Sequence, residues 1–385
     1  MDAVSKSILK FLLRSLLVIS PVILALTGWY VWADPFKVIR HYDCYYSDPA
    51  KNPARIGMNK GMVTFTNFED RIKEGKKYDS FIFGSSISCY YDASAWAGLI
   101  EDSLRRTGTV ENTGYPLSVS PYHFDSSGES LMSMAKKVKY LDDNSIAIHH
   151  ALIVLDPIIM ASDLSDSPAY VDPPQLHKSI FETVAYHYTF FRAATNADFF
   201  KSYLPRMVWD RPVENGHHLI FERQPIKYDP VTNQESIPLW DSIIHADSRQ
   251  FYARYPLNTS PSEYKESSPV LTGKREKALE LISEIFYRHA TDYKIIIGPN
   301  RAKITLNVVD LNKMQTIFDP KRIYDFSTSL AYMLEADSLL YDNTHYRPPM
   351  ADLMMQRTYG IPKTADKKMS RTDIDNRGSD TDNPI

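Results

Sequence analysis

Two short segments of the 385-residue chain carry residues able to do nucleophilic chemistry. The first is Phe81-Ile82-Phe83-Gly84-Ser85-Ser86, an apolar run that ends in three small residues. Small residues let the backbone turn sharply, so that a hydroxyl projects at a strand's carboxyl end beside the start of a helix, where a serine nucleophile is useful. A plain strand-to-helix turn with a capping serine has the same appearance. The second segment is Asp342-Asn343-Thr344-His345. An Asp three residues before a His, on one turn, is placed to accept the imidazole Nδ1 proton, which leaves Nε2 to take the proton of a serine hydroxyl. An Asp that caps the helix behind it reads equally well. A metal site is the other chemistry open to these residue types, but no second cluster of His or carboxylate at ligand spacing supports one, and neither metal nor cofactor is expected. The pairs His149-His150 and His217-His218 would point their side chains apart and read as structural or surface residues.

The elements that must position these residues follow an α/β pattern. Short apolar runs at residues 79–83, 110–112, 151–155, 294–297 and 322–326 read as strands. Helical spacing follows over 93–104 and 130–141, and a last helix covers 348–359 with Pro at its start. Alternation of this kind implies a parallel, doubly wound sheet covered on both faces. Between the third and fourth strands lie residues 158–292, far more than one crossover helix needs. Helical patterns near 176–191, 197–204 and 274–289 occur there, and the stretch reads as an inserted cap over the carboxyl edge of the sheet, where open α/β folds bind ligands. The α/β domain is thus expected over 61–157 and 293–363. Residues 364–385 are polar, mixed in charge and free of aromatics, the composition of a disordered tail.

The N-terminus sets the expected compartment. Residues 15–32, SLLVISPVILALTGWYVW, carry no charge and follow Lys6, Lys10 and Arg14. With Leu12 and Leu13 the run reaches the roughly 20 residues that span a bilayer. Basic residues on the leading side place residue 1 in the cytoplasm and the rest outside, with Trp29, Tyr30 and Trp32 as an outer aromatic belt. A cleaved signal peptide is the competing reading; the apolar run is longer than the usual h-region and no clean cleavage site follows it. Residues 1–34 are therefore expected to be a cytoplasmic stub and membrane anchor of a single-pass protein of the inner membrane, and 35–60 a stalk. Lys+Arg 44 against Asp+Glu 47 leaves a net charge of −3, with no basic excess for nucleic acid. Tyr 25 outnumbers Phe 17 and Trp 5, a mixture that suits polar-faced clefts such as carbohydrate sites.

Taken in order, the two chemical segments resemble the SGNH, or GDSL-like, hydrolase superfamily, whose fold is a flavodoxin-like doubly wound sheet. The resemblance puts Ser86 at the nucleophile, Asp342 at the orienting acid and His345 at the general base. It implies an oxyanion hole from the N–H groups of Ser86 and Gly114, the latter in Asn112-Thr113-Gly114. The superfamily's Asn after the third strand is replaced by Asp156-Pro157, and a carboxylate cannot stabilise an oxyanion. The Gly-Ser-Ser block, the anchor, the large insertion and the late DxxH are similar to one branch in particular, the teichoic-acid D-alanylation and alginate O-acetylation proteins. That branch implies a serine esterase or O-acyltransferase acting on a cell-envelope polysaccharide or other O-acylated substrate, with a multispanning O-acyltransferase as partner. A non-catalytic adaptor of the same fold, positioning a polysaccharide or that partner, is the rival reading; an ordinary lipid or peptidoglycan esterase is a third.

Weaker candidates surround the motifs. Arg301 and Lys303, just past the fourth strand, are placed to meet an anionic substrate group or to be solvated loop cations. Tyr90, Tyr91, Tyr115, Tyr122 and Tyr346 lie near motif segments, to stack on sugars or to pack the cap on the sheet. Cys44 and Cys89 are the only cysteines, and an oxidising compartment could join them, although no spacing rule requires it.

Overall fold

The computed structural model describes residues 3–42, 55–56, 59–107, 119–161, 168–201, 203, 221–222 and 226–360. Its centre is a parallel sheet of five strands: β1 Ser80–Gly84, β2 Pro121–His123, β3 His150–Leu155, β4 Asp292–Ile297 and β5 Ile323–Asp325, in the spatial order β5-β4-β3-β1-β2. The register sets Gly84 beside Val154 and Leu155 beside Ile297, so the carboxyl ends of the three middle strands lie level. Strand order reverses between β1 and β3, and connections leave their carboxyl ends in opposite directions, the place where open α/β sheets form a ligand crevice. Every residue of β1 and β3 is buried. Their unbroken apolar runs follow from that, since a parallel strand in the middle of a sheet has helices over both faces.

The α-helices with described bounds include α1 Ala3–Ala33, α2 Lys60–Lys73, α3 Ala93–Thr107, α4 Leu131–Asp143, α5 Pro157–Met160, α6 Ile180–Ala194, α7 Pro238–Arg254, α8 Lys274–Arg288, α9 Val308–Ile317 and α10 Pro348–Thr358. Phe81, Phe83, Ile153 and Ile295 face α2, α4, α8 and α9 through Phe68, Val138, Ile282 and Met314. Ile82, Leu152, Val154 and Ile296 face α3 and α10 through Trp96, Ile100, Met350 and Met354. Local signals fix the ends: Asn59 caps α2 by accepting the Met62 N–H at 2.8 Å, Ser130 caps α4, and Pro348 opens α10. A capping box of Ser179 and Glu182 starts α6.

Two expectations change. The strand beside β1 is Pro121–His123, and the 110–112 run lies outside the described residues. The insertion is narrower than 158–292, because α8 packs on α4 and the sheet as the crossover helix between β3 and β4. The expected stalk over 35–60 begins as a closed turn: the Asp34 carboxylate accepts the N–H groups of Val38, Ile39 and Arg40. The tail at 364–385 lies outside the described residues. Among those residues one helix is long and apolar enough to cross a membrane, over Lys10–Ala33, with mean hydropathy 2.0.

Candidate active site

β1 delivers Ser86 to the crevice. After Gly84 the chain enters one turn of 3-10 helix, Ser86–Ser88, closed by the Ser88 N–H and Oγ on the Ser85 carbonyl at 2.9 and 2.8 Å. A Cβ on Gly84 would stand 2.6 Å from the Cβ of Ser88 and 2.9 Å from the carbonyl of Val154, so only glycine lets this turn close against β3. Ser85 is buried and Ser86 half-buried, which makes Ser86 the hydroxyl of the pair that can meet a ligand.

Asp342 and His345 lie on a loop between β5 and α10 that is pinched at its base. Leu340 bridges Tyr346, and the Tyr341 N–H donates to the His345 carbonyl at 2.9 Å. Within the pinch the Asp342 carboxylate accepts the N–H groups of Thr344 and His345, both at 2.8 Å, and faces Nδ1 of His345 at 2.8 and 3.0 Å. Asp342 therefore caps its own turn and not the helix behind it. Nε2 of His345 stands 2.8 Å from Oγ of Ser86. With Nδ1–H donating to Asp342, Nε2 is an acceptor and the serine hydroxyl donates to it, the geometry of a hydroxyl with a positioned base.

Charge reinforces that arrangement. Burial alone would depress the imidazole of His345, but the hydrogen bond and charge of Asp342, with the more distant Glu235 and Asp156, outweigh it and hold its pKa above the ordinary histidine value. Burial would raise the carboxyl of Asp342; the His345 hydrogen bond and charge, and the two backbone N–H groups, hold it below the usual carboxylate range. Asp156 ends β3. Its Oδ1 accepts the N–H groups of Ile158 and Ile159, both at 2.7 Å, as the cap of α5. Burial pushes its pKa up, against those bonds and the charge of His345.

The loop is anchored from the insertion by residues that the sequence did not single out. Arg347, 1% exposed, donates Nε to Asp241 of α7 at 2.8 Å and NH1 to the Ser338 carbonyl at 2.7 Å. The other Asp241 oxygen accepts the hydroxyl of Tyr341 at 2.7 Å. The signal for this lay in Pro238-Leu239-Trp240-Asp241, a helix start with Pro at its first position, next to apolar spacing. Behind the Ser86 turn is a buried polar cluster: the Cys89 thiol donates to Asp125 at 3.1 Å, and Lys60 pairs with Glu235 at 2.7 Å. Gln234 donates to the Cys89 carbonyl, so the insertion also grips the segment that follows Ser86.

The remaining candidates divide by place. Gly114, Tyr115, Cys44, His217 and His218 lie outside the described residues. Arg301 is turned away from any ligand role: its guanidinium bonds the carbonyls of Asn258 and Leu334 and pairs with Asp337 at 3.0 Å. Tyr346 is 1% exposed, its hydroxyl 3.0 Å from that of Tyr91, and so serves packing and not substrate. Tyr122 is also buried, with its hydroxyl on the Thr64 carbonyl. Lys303 lies over the ring of Tyr264. Tyr90 alone of the described tyrosines named above stands at the site, with its ring edge-on to His345 at 6.3 Å. Cys89 is a free, buried thiol whose pKa burial pushes up. No group of three or more His, Cys, Asp or Glu able to hold a metal occurs among the described residues. Nothing in comparisons of the chain with protein-family models or with curated proteins matches it.

Proposed function

We propose that the chain is a membrane-anchored SGNH-type serine esterase or O-acyltransferase that works outside the cytoplasmic membrane on an O-acylated cell-envelope polysaccharide. The observation that carries the reading is the line of three side chains, Ser86 Oγ to His345 Nε2 at 2.8 Å and His345 Nδ1 to Asp342 at 2.8 Å, at the carboxyl end of β1. The strand order β5-β4-β3-β1-β2, which is 2-1-3-4-5 read from the other edge, supports a doubly wound fold of the flavodoxin type. The apolar α1 supports the anchor.

In this mechanism His345 takes the proton of Ser86 as Oγ attacks the ester carbonyl. Asp342 holds the imidazole in the Nδ1–H tautomer and stabilises the imidazolium. The Ser86 N–H donates to the oxyanion. Collapse of the tetrahedral intermediate expels the alcohol, which takes the proton from His345 Nε2 and leaves an acyl group on Ser86. Water, or a sugar hydroxyl deprotonated by the same imidazole, then releases that group. Transfer to a second polysaccharide, with a multispanning O-acyltransferase as acyl source, needs a site that excludes water, and the insertion held by Asp241 is the element to supply it.

One observation favours the adaptor reading instead. Asp156 follows β3 at the chain position where the resemblance expects an oxyanion-donating Asn, and an ionised carboxylate beside the reacting centre would oppose the negative charge of the intermediate. The two readings separate when the full-length protein is given an O-acetylated polysaccharide and acetate release or transfer is followed. An enzyme loses the reaction in Ser86→Ala; an adaptor shows none in either form.

A further inference from the structure

Helix α6 has two apolar faces, and the domain buries only one. Tyr186, Phe190 and Ala194 pack into a cluster with Tyr30 of α1 and with Phe36 and Val38 just beyond it. Ile180, Phe181, Val184 and Tyr188 are instead 70, 80, 60 and 60% exposed. At 3.6 residues per turn these four fall within an arc of roughly 100°. Phe191 belongs to the same arc, and its ring meets that of Tyr30 edge-on at 5.7 Å. The arc is therefore covered by α1 at one end of α6 and uncovered at the other.

The covering segment indicates what lies over the rest. Trp29 and Tyr30 are in the last turns of the apolar segment Lys10–Ala33, and Trp29 also meets Phe200 at 4.9 Å and Tyr203 at 6.1 Å. The junction is fixed. Asp34 closes the turn after α1, and Arg40 donates to the carbonyls of Val31 and Trp32. If α1 spans the bilayer, α6 is held at the level where α1 leaves it, with its apolar arc on the side of α1. Arg192 and Lys201 are exposed near the same end, at the height of anionic headgroups.

We propose that α6 is an interfacial helix whose Ile180, Phe181, Val184 and Tyr188 enter the outer headgroup and acyl boundary of the bilayer in which α1 is anchored. The proposal rests on the reading of α1 as a membrane span. Two contacts, a span and a helix lying on the surface, fix the tilt of the domain as one span alone does not, and so set the height of Ser86 above the lipid.

The test is lipid photolabelling. The full chain is reconstituted in phosphatidylcholine–phosphatidylglycerol vesicles containing a lipid with a diazirine near the ester end of its acyl chain, irradiated and digested with trypsin. Cleavage gives residues 15–37 from α1 and residues 179–192 from α6. The expected result is label in both peptides, with a fall of fivefold or more in 179–192 alone for the Phe181→Ser, Val184→Ser double variant. Label in 15–37 only overturns the proposal, as does label in 179–192 that the double variant leaves unchanged. Label in neither peptide removes the membrane span itself, and the proposal with it.

Discussion

Ser86 and His345 are 259 positions apart in the chain and meet through a 2.8 Å hydrogen bond. The contact joins two separately built supports, the glycine-dependent turn at the end of β1 and the pinched loop before α10. Both supports are turns closed by short-range hydrogen bonds, and the loop is further held by Arg347, which limits the motion of the two side chains.

The acid limb of activity should lie above the ordinary histidine midpoint. His345 must be neutral to take a proton, and its pKa is raised, so kcat/KM on a chromogenic acetyl ester rises with pH through a midpoint above about 6.5. Asp342→Asn removes the hydrogen-bonded charge that opposes burial. The midpoint then moves to lower pH while the plateau falls on the order of 10³-fold or more. A limb that stays in place in the variant would separate His345 from the titration.

Asp156→Asn should raise turnover. The asparagine carbonyl can accept the Ile158 and Ile159 N–H groups as Asp156 does, which preserves the cap, and its amide adds a donor beside the reacting centre. One oxyanion donor is worth about 10²–10³ in rate, so a gain of about tenfold or more is expected in steady-state ester hydrolysis. Loss of the negative charge also removes one influence that raises His345, and the acid limb shifts slightly downward. An unchanged or lower rate would place Asp156 away from the oxyanion.

Asp241→Ala tests the grip of the insertion on the loop that carries His345. It leaves the guanidinium of Arg347, 1% exposed, without its carboxylate and costs about 3–5 kcal/mol of stability. Thermal unfolding should show that loss, and ester hydrolysis should fall as well because Arg347 lies two residues past His345. Full activity at unchanged Tm would detach α7 from the loop.

Gly84→Ala forces a methyl group into contact with Ser88 and the backbone of β3. Overpacking of this kind costs typically about 1–3 kcal/mol, and here the strain falls on the turn that aims Ser86. The expected outcome is a larger loss in kcat than in KM, measured on the same ester.

The three side chains that meet at the end of β1 were legible because each part is local: three small residues after an apolar run, and an Asp and His close enough to meet on one turn. The core strands β1, β3 and β4 were legible because burial on both faces makes residues 81–83, 151–155 and 295–297 continuous apolar runs. β2 was not. Pro121-Tyr122-His123 is a three-residue edge strand without alternation, held by the Ser120 N–H on the Asp79 carboxylate, while Val110 to Asn112 offered the more strand-like composition. The helix start at Pro238 was a local signal, but the pairing of Asp241 with Arg347 joins positions 106 apart, and nothing local in a sequence marks the partner at that separation. Arg301 and Tyr346 carried two readings each for a related reason. A cation or a tyrosine beside a motif has the same type whether it faces a ligand or, as here, loop carbonyls and another tyrosine.

The central claim is that Ser86 is an activated nucleophile. The most direct measurement treats the folded, full-length protein with a fluorophosphonate and locates the adduct by mass spectrometry, beside Ser86→Ala and His345→Ala. One adduct is expected, on Ser86, absent in Ser86→Ala and slowed by orders of magnitude in His345→Ala. A folded protein that takes no label, or a label on Ser86 indifferent to His345, would contradict it.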